Sequence, residues 1–92
     1  MLKVALINPN QFTKYPQPPM GLALIAALLE RAGYPVTVID ANALDLRPED
    51  VVPLVSDADV IGLTAMTPSV NRAIVMARHL RQAYPDLPII LG

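Results

Sequence analysis

The chain is 92 residues long, 53% hydrophobic and 16% charged, with a formal net charge of -1. That length holds one small domain, 1–92, and so apolar a composition asks for elements covered on more than one side. The basic residues (Lys3, Lys14, Arg31, Arg47, Arg72, Arg78, Arg81) are scattered, which argues against nucleic acid, and the absence of cysteine excludes disulfides, cysteine-bound zinc and any iron–sulfur cluster held by this chain.

Residues 2–8, "LKVALIN", read as a buried strand stopped by Pro9. Residues 9–18, "PNQFTKYPQP", form a loop that is long for a strand-to-helix connection, and long loops in compact domains tend to be functional. Residues 19–32, "PMGLALIAALLERA", read as a helix, with Pro19 suited to its first turn and Gly33 to the left-handed position that ends it. This helix is apolar nearly all round until Glu30, so cover is expected on both its sides. Its apolar run, Met20 to Leu29, is too short to span a bilayer. The start, "MLKVALINPN", lacks the features of a signal peptide, and a cytoplasmic protein is expected.

"PVTVID", residues 35–40, is the second expected strand. A short, weak helix follows around residues 48–56, interrupted by Pro53. "DVIGLT", residues 59–64, is the third strand. Residues 68–84 form an amphipathic helix with Val70, Ala73, Ile74, Ala77, Leu80 and Tyr84 at helical spacing, and "LPIILG" is the fourth strand. Short apolar strands alternating with helices predict an α/β fold: a Rossmann-like (flavodoxin-like) parallel sheet with helices on both faces and strands 1 and 3 adjacent. Ligands of such sheets bind beyond the carboxyl ends of the strands, here Asn8, Asp40, Thr64 and Gly92. A fourth strand followed at once by the last residue leaves an open edge, so the sequence reads as the front portion of a larger protein, prone to self-association.

The stretch "VIGLTAMTPSV" carries three hydroxyls, Thr64, Thr67 and Ser69, where strand 3 hands over to a helix. Capping, worth ~1 kcal/mol, accounts for Thr67, with Pro68 at the first helical position. It leaves Thr64 and Met66 unexplained. A hydroxyl-rich rim beside a helix start also suits amide, phosphate or hydroxyl groups of a ligand.

"ADVIGLTAMTPSVNRAIVMARHLRQAYPDLPIILG" resembles the second half of a cobalamin-binding domain. Cobalamin-dependent methionine synthases and methylmalonyl mutases share Asp-x-His-x-x-Gly after strand 1, Ser-x-Leu at the end of strand 3, and Gly-Gly after strand 4. Thr64-Ala65-Met66 stands at the Ser-x-Leu position with conservative changes, and Gly92 at the first glycine of Gly-Gly. The loop 9–18 has neither Asp nor His, so the axial histidine of those enzymes has no counterpart. The front half, "KVALINPN…PPMGLALIAALLERAGYPVTVIDAN", is similar to the N-terminal domain of cobalamin-dependent radical S-adenosylmethionine enzymes. That group includes the anaerobic magnesium-protoporphyrin IX monomethyl ester cyclase and related methyltransferases.

The resemblance implies a cobalamin-binding domain, 1–92, incomplete at its C-terminus. The corrin would lie over the carboxyl ends of the strands, with the nucleotide tail beside strands 1, 3 and 4. Thr64, Thr67 and Ser69 would bond polar groups, Met66 would pack on the ring or tail, and loop 9–18 would cover the lower face without ligating cobalt. The expected cofactor-binding set is Asn8, Pro9, Gly21, Thr64, Ala65, Met66, Thr67, Ser69 and Gly92. No catalytic or metal-ligating residue is expected in this chain. S-adenosylmethionine and a 4Fe-4S cluster would belong to a following catalytic domain of the same protein, whose Cys-x-x-x-Cys-x-x-Cys motif is absent here. That domain would be the partner covering the second face of helix 19–32. The rival reading is a non-catalytic α/β interaction module that has lost ligand binding.

Other constellations weigh less. His79 falls on a polar helix face and reads as solvated. Asp40 stands where a dinucleotide fold keeps its ribose-binding acid, but there is no Gly-x-Gly-x-x-Gly, and Gly21 reads as a helix start or a close-packing position. A phospho-receiver needs acids where Asn8 and Thr64 stand. Glu49, Asp50, Asp57 and Asp59 read as a solvated face.

Overall fold

The computed structural model describes residues 2–12, 20–64 and 70–92. The elements run β1 (Val4–Asn8), α1 (Met20–Arg31), β2 (Val36–Asp40), α2 (Pro48–Val51), a 3-10 turn (Val52–Val55), β3 (Val60–Leu63), α3 (Val70–Ala83) and β4 (Ile89–Leu91). All neighbouring strands pair in parallel, in the order β2-β1-β3-β4, so β1 and β3 are adjacent as the alternation of strands and helices predicts. The expected elements at 9–18, Pro19, Pro68 and the capping Thr67 fall wholly or partly outside the described residues.

Each helix end has a local cause. α1 stops at Gly33, whose φ of 93° lets its N–H reach Glu30 O at 3.0 Å while Tyr34 N–H reaches Leu29 O at 3.1 Å. α2 begins with Arg47 N–H donating to Asp50 Oδ2 at 2.9 Å, and Pro48 opens the helix. The expected weak helix at 48–56 is one short α-helical turn that tightens into the 3-10 turn. Pro53 has no N–H to continue the α-helical ladder, which is why the pitch changes there.

Two apolar layers hold the sheet. On one face Ala5, Ile7, Ile39, Ile61 and Leu63 pack with Val51, Val55, Met76 and Leu80 from α2, the 3-10 turn and α3. Tyr84 O–H donates to Val52 O at 2.6 Å and ties the end of α3 to that turn. On the other face Leu6 packs with Leu22 and Ala26 of α1, flanked by Val4, Leu29 and Val36. Complete burial of such side chains is worth about 1.5–3 kcal/mol each. β1 is buried from Ala5 to Asn8, since both its faces are covered.

The outer face of α1 is bare among the described residues, and the expected buried face of α3 needs correcting. α1 is covered on one side: Leu24, Ile25 and Leu28 are 63%, 49% and 55% exposed among the described residues. The buried stripe of α3 is Ala73, Met76 and Leu80, while Ile74 and Val70 are exposed. Ile74 instead stands with Ile89 and Leu91 along the flank of β4, where the described sheet ends. Both Met76 and Ile74 are apolar, so side-chain type alone does not tell which of them faces the core.

At the amino end of the strands, Lys3 N–H donates to Asp59 Oδ2 at 2.8 Å. Lys3 Nζ lies 3.6 Å from Asp57 in an exposed pair of little energetic weight. With Asp50 at the start of α2, these acids serve local geometry, and no group of three metal-ligating side chains occurs among the described residues. No described helix is long and apolar enough to cross a membrane.

Candidate functional site

The chain leaves β1 toward α1 on one face of the sheet and leaves β3 toward α3 on the other. A crevice opens at such a divergence, beyond the carboxyl ends of two adjacent parallel strands. Asn8 ends β1 there, and Thr64 follows β3, one position beyond the paired residues Ile7 and Leu63. Side chains alternate along a strand, so Asn8 shares the α1 face with Leu6, Asp40 with Val38, and Thr64 with Gly62.

These three polar side chains form one relay. Asn8 Nδ2 donates to Asp40 Oδ1 at 2.9 Å. Thr64 Oγ1 lies 3.1 Å from Asn8 Oδ1 and 3.4 Å from Ile7 O. An ionised carboxylate only accepts, so Asp40 fixes which way the Asn8 amide points. Asn8 Oδ1 then accepts, and Thr64 must be the donor. Asn8 is 7% exposed, so this orientation is held away from water. Asp40 Oδ1 also accepts from Ala43 N–H at 3.1 Å.

Below the rim runs an apolar row. Val38, Leu6, Gly62 and Ile90 stand side by side across the α1 face. A Cβ added at Gly62 would meet Leu6 Cδ2 at 2.9 Å, so glycine here leaves room for the Leu6 side chain. α1 packs on the β1 and β2 side of this row, whereas Ile90 is 62% exposed.

A second set of contacts shapes the segment after β1. Asn10 Nδ2 donates to Asp45 Oδ1 at 2.8 Å, Gln11 N–H to Asn42 Oδ1 at 3.0 Å, and Phe12 N–H to Asn10 Oδ1 at 2.7 Å. Asn10 and Asn42 are buried, and Phe12 and Asp45 are held at φ of 55° and 53°. The Arg72 guanidinium sits 4.8 Å over the Phe12 ring. Asn10, Phe12 and Arg72 border a cavity of about 190 Å³ between α2 and α3, lined also by Pro9, Met76 and His79. His79 is half-buried, with Nδ1 3.0 Å from Val75 O, and so is less solvated than its helical position predicts.

Of the expected binding residues, Asn8 and Thr64 meet directly, and buried Pro9 continues the rim. Gly92 follows β4 and donates its N–H to Leu63 O at 3.0 Å. Gly21 lies in the first turn of α1 with open space around its Cβ position, so close packing on the sheet is not its role. Ala65, Met66, Thr67 and Ser69 lie outside the described residues, as do residues 13–18 of the loop. Sequence reasoning missed Asn10, Asn42 and Asp45 as loop-stitching residues and Asp40 as part of the relay. The available signal was the density of Asn and Asp just after β1 and β2, residues that bond nearby backbone in turns.

Comparison with known proteins brings these features together. The family model for the B12 binding domain matches residues 13–92. An uncharacterized methyltransferase of Pyrococcus horikoshii is 30% identical over 82% of this chain and 17% of its own length. The anaerobic magnesium-protoporphyrin IX monomethyl ester cyclase of Rubrivivax gelatinosus is 28% identical over 99% of this chain and 18% of its own. The solved structure of the radical S-adenosylmethionine methyltransferase TsrM from Kitasatospora setae, with tryptophan substrate and an S-adenosylmethionine analogue bound, superposes with a TM-score of 0.82. It is 22% identical and covers all of this chain and 19% of that one, a likeness of fold. The chain thus spans less than a fifth of the length of these relatives.

Proposed function

The chain belongs to the B12 binding domain family, and on that premise we propose that it holds cobalamin over the carboxyl ends of its strands as one unit of a radical S-adenosylmethionine enzyme. The observation that carries the reading is the polar pair Asn8 and Thr64 at the divergence of β1 and β3, beside the apolar row through Leu6 and Gly62. A polar rim next to an apolar row of side chains fits a corrin with its fringe of amides. The full proposed contact set is Asn8, Pro9, Gly21, Thr64, Ala65, Met66, Thr67, Ser69 and Gly92.

Asn8 and Thr64 would orient polar groups of the cofactor, while Leu6 and Gly62 would floor the channel for its apolar portion. Residues 9–18 contain no His, Asp or Cys, so this segment offers no axial histidine and would shield the lower face without ligating cobalt. Bound cobalamin supplies cobalt-centred alkyl-transfer or electron-transfer chemistry. S-adenosylmethionine and a 4Fe-4S cluster belong, in this proposal, to another domain of the longer protein. The parent reaction is a tetrapyrrole ring closure or a methyl transfer, and the relatives' names support both. The bare stripe Leu24, Ile25 and Leu28 is expected to drive self-association when the 92 residues are isolated.

Titration of the full-length protein with hydroxocobalamin, followed by visible absorption, tests the proposal. A saturable spectral shift, or co-purified corrinoid, is the expected result. Neither one would leave the interaction-module reading in its place.

A further inference from the structure

At the described strand ends the hydrogen-bond donors are largely engaged while acceptors are left over. Among the described residues the backbone donors at the strand ends are already engaged. Ala41 N–H goes to Asn8 O at 3.0 Å, Thr64 N–H to Ile7 O at 3.1 Å, and Gly92 N–H to Leu63 O at 3.0 Å. Pro9 has no N–H to offer. Ala43 N–H goes to Asp40 Oδ1, Gln11 N–H to Asn42 Oδ1 and Phe12 N–H to Asn10 Oδ1. The Thr64 hydroxyl hydrogen is directed inward, to Asn8 Oδ1 or Ile7 O. Asn8 keeps one amide hydrogen, on a residue that is 7% exposed.

Acceptors, by contrast, remain. A hydroxyl oxygen has two lone pairs and a carboxylate about four acceptor sites. Asp40 Oδ1 receives Asn8 and Ala43, while Oδ2 receives no bond from the described residues. Thr64 Oγ1 donates and is left to accept. Both residues are half-buried, and no described side-chain oxygen is at once buried and unpartnered, so acceptor sites that receive no bond from the described residues reach the surface. Asp40 also brings a formal negative charge, which disfavours a carboxylate or phosphate beside it.

We infer that Asp40, acting with Thr64 through the Asn8 relay, selects ligands by their N–H donors and makes this edge of the crevice a reader of carboxamides rather than of phosphates or carboxylates. The inference rests on the cobalamin proposal and refines it: the corrin's primary amides, not the phosphodiester of its nucleotide tail, face β2 and β1. It also narrows the choice among amide, phosphate and hydroxyl partners that the hydroxyl-rich sequence leaves open. Asp40 is in this scheme a specificity residue with no part in chemistry.

The test uses the full-length protein and absorption titrations with hydroxocobalamin and its three isomeric monocarboxylates, each with one propionamide hydrolysed. At least one monocarboxylate is expected to bind about tenfold more weakly than the parent, a difference of about 1.4 kcal/mol. Asp40→Asn keeps the shape and can still accept from Asn8 while turning an N–H outward. It should erase or reverse that discrimination. Circular dichroism of the variant establishes that it folds, and if it does not, the wild-type series alone decides. Flavin mononucleotide, a phosphate-tipped probe, should leave its fluorescence unchanged. Equal affinity for cobalamin and all three monocarboxylates, discrimination that persists in a folded Asp40→Asn protein, or flavin mononucleotide binding overturns the inference while leaving the cobalamin proposal standing. Failure of every corrinoid to bind overturns both.

Discussion

Thr64 Oγ1 sits 3.1 Å from Asn8 Oδ1, and this contact links the ends of β3 and β1 where their onward connections part to opposite faces of the sheet. The two residues are separated by 56 positions in sequence, so the contact exists only once the parallel pairing of β1 and β3 has formed.

Thr64→Val replaces the hydroxyl with a methyl of similar size and leaves Asn8 Oδ1 without its donor. The expected loss is about 1–3 kcal/mol, the penalty for an unsatisfied buried acceptor. For a domain of this size each 1 kcal/mol lowers Tm by about 4–8 °C. Thr64→Ser retains the donor and should melt close to the wild type. Indistinguishable melting of the Val and Ser variants would remove the relay from the argument.

Gly62→Ala adds a methyl to the proposed floor of the cofactor channel. Its Cβ meets the tip of Leu6, a flexible contact, so the folded state should lose no more than about 1 kcal/mol. Cobalamin affinity should fall further, by about tenfold or more, because the channel itself is narrowed. Thermal melting and an absorption titration read the two effects separately. Unchanged affinity would exclude this face as the channel.

Tyr84→Phe removes the O–H that donates to Val52 O at 2.6 Å, on the face of the sheet away from the rim relay. Urea unfolding should show a loss of about 0.5–1.5 kcal/mol. The corrinoid titration should be unaffected, which makes this variant a control for stability effects. A changed titration would mean that the two faces are coupled.

Replacing Leu24 and Leu28 together with Gln should leave the fold intact, since both side chains are more than half exposed and exposed substitutions usually change stability by less than about 0.5 kcal/mol. Self-association of the isolated 92 residues should decline, as read by sedimentation velocity across a concentration series. Association unchanged by the pair would assign it to another surface, such as the flank of β4.

The sheet order was legible because short apolar runs alternate with helical ones, and right-handed crossovers leave few ways to arrange them. Asn8 and Thr64 were legible as rim residues for the same reason: a strand end can be located from its neighbours. Partners within the rim were not. Asn10 with Asp45 and Gln11 with Asn42 join loops 35 and 31 positions apart, and single polar residues in loops carry no period that would pair them. Asp40 was read against a ribose because position alone was visible, whereas its two donors, Asn8 and Ala43, become apparent only in three dimensions. The rotation of α3 that buries Met76 and exposes Ile74 was equally hidden, since both side chains are apolar and either would suit the core.

β1 is fastened to β3 at both extremities, by Lys3 N–H to Asp59 below and by Thr64 to Asn8 above. A plank nailed at each end keeps its line whatever is hung from it. Segments on the far side of Phe12 or Thr64 can therefore be exchanged in length and chemistry while the interior strands hold register. One chassis of this kind has the mechanical freedom to carry different grips on the same cargo.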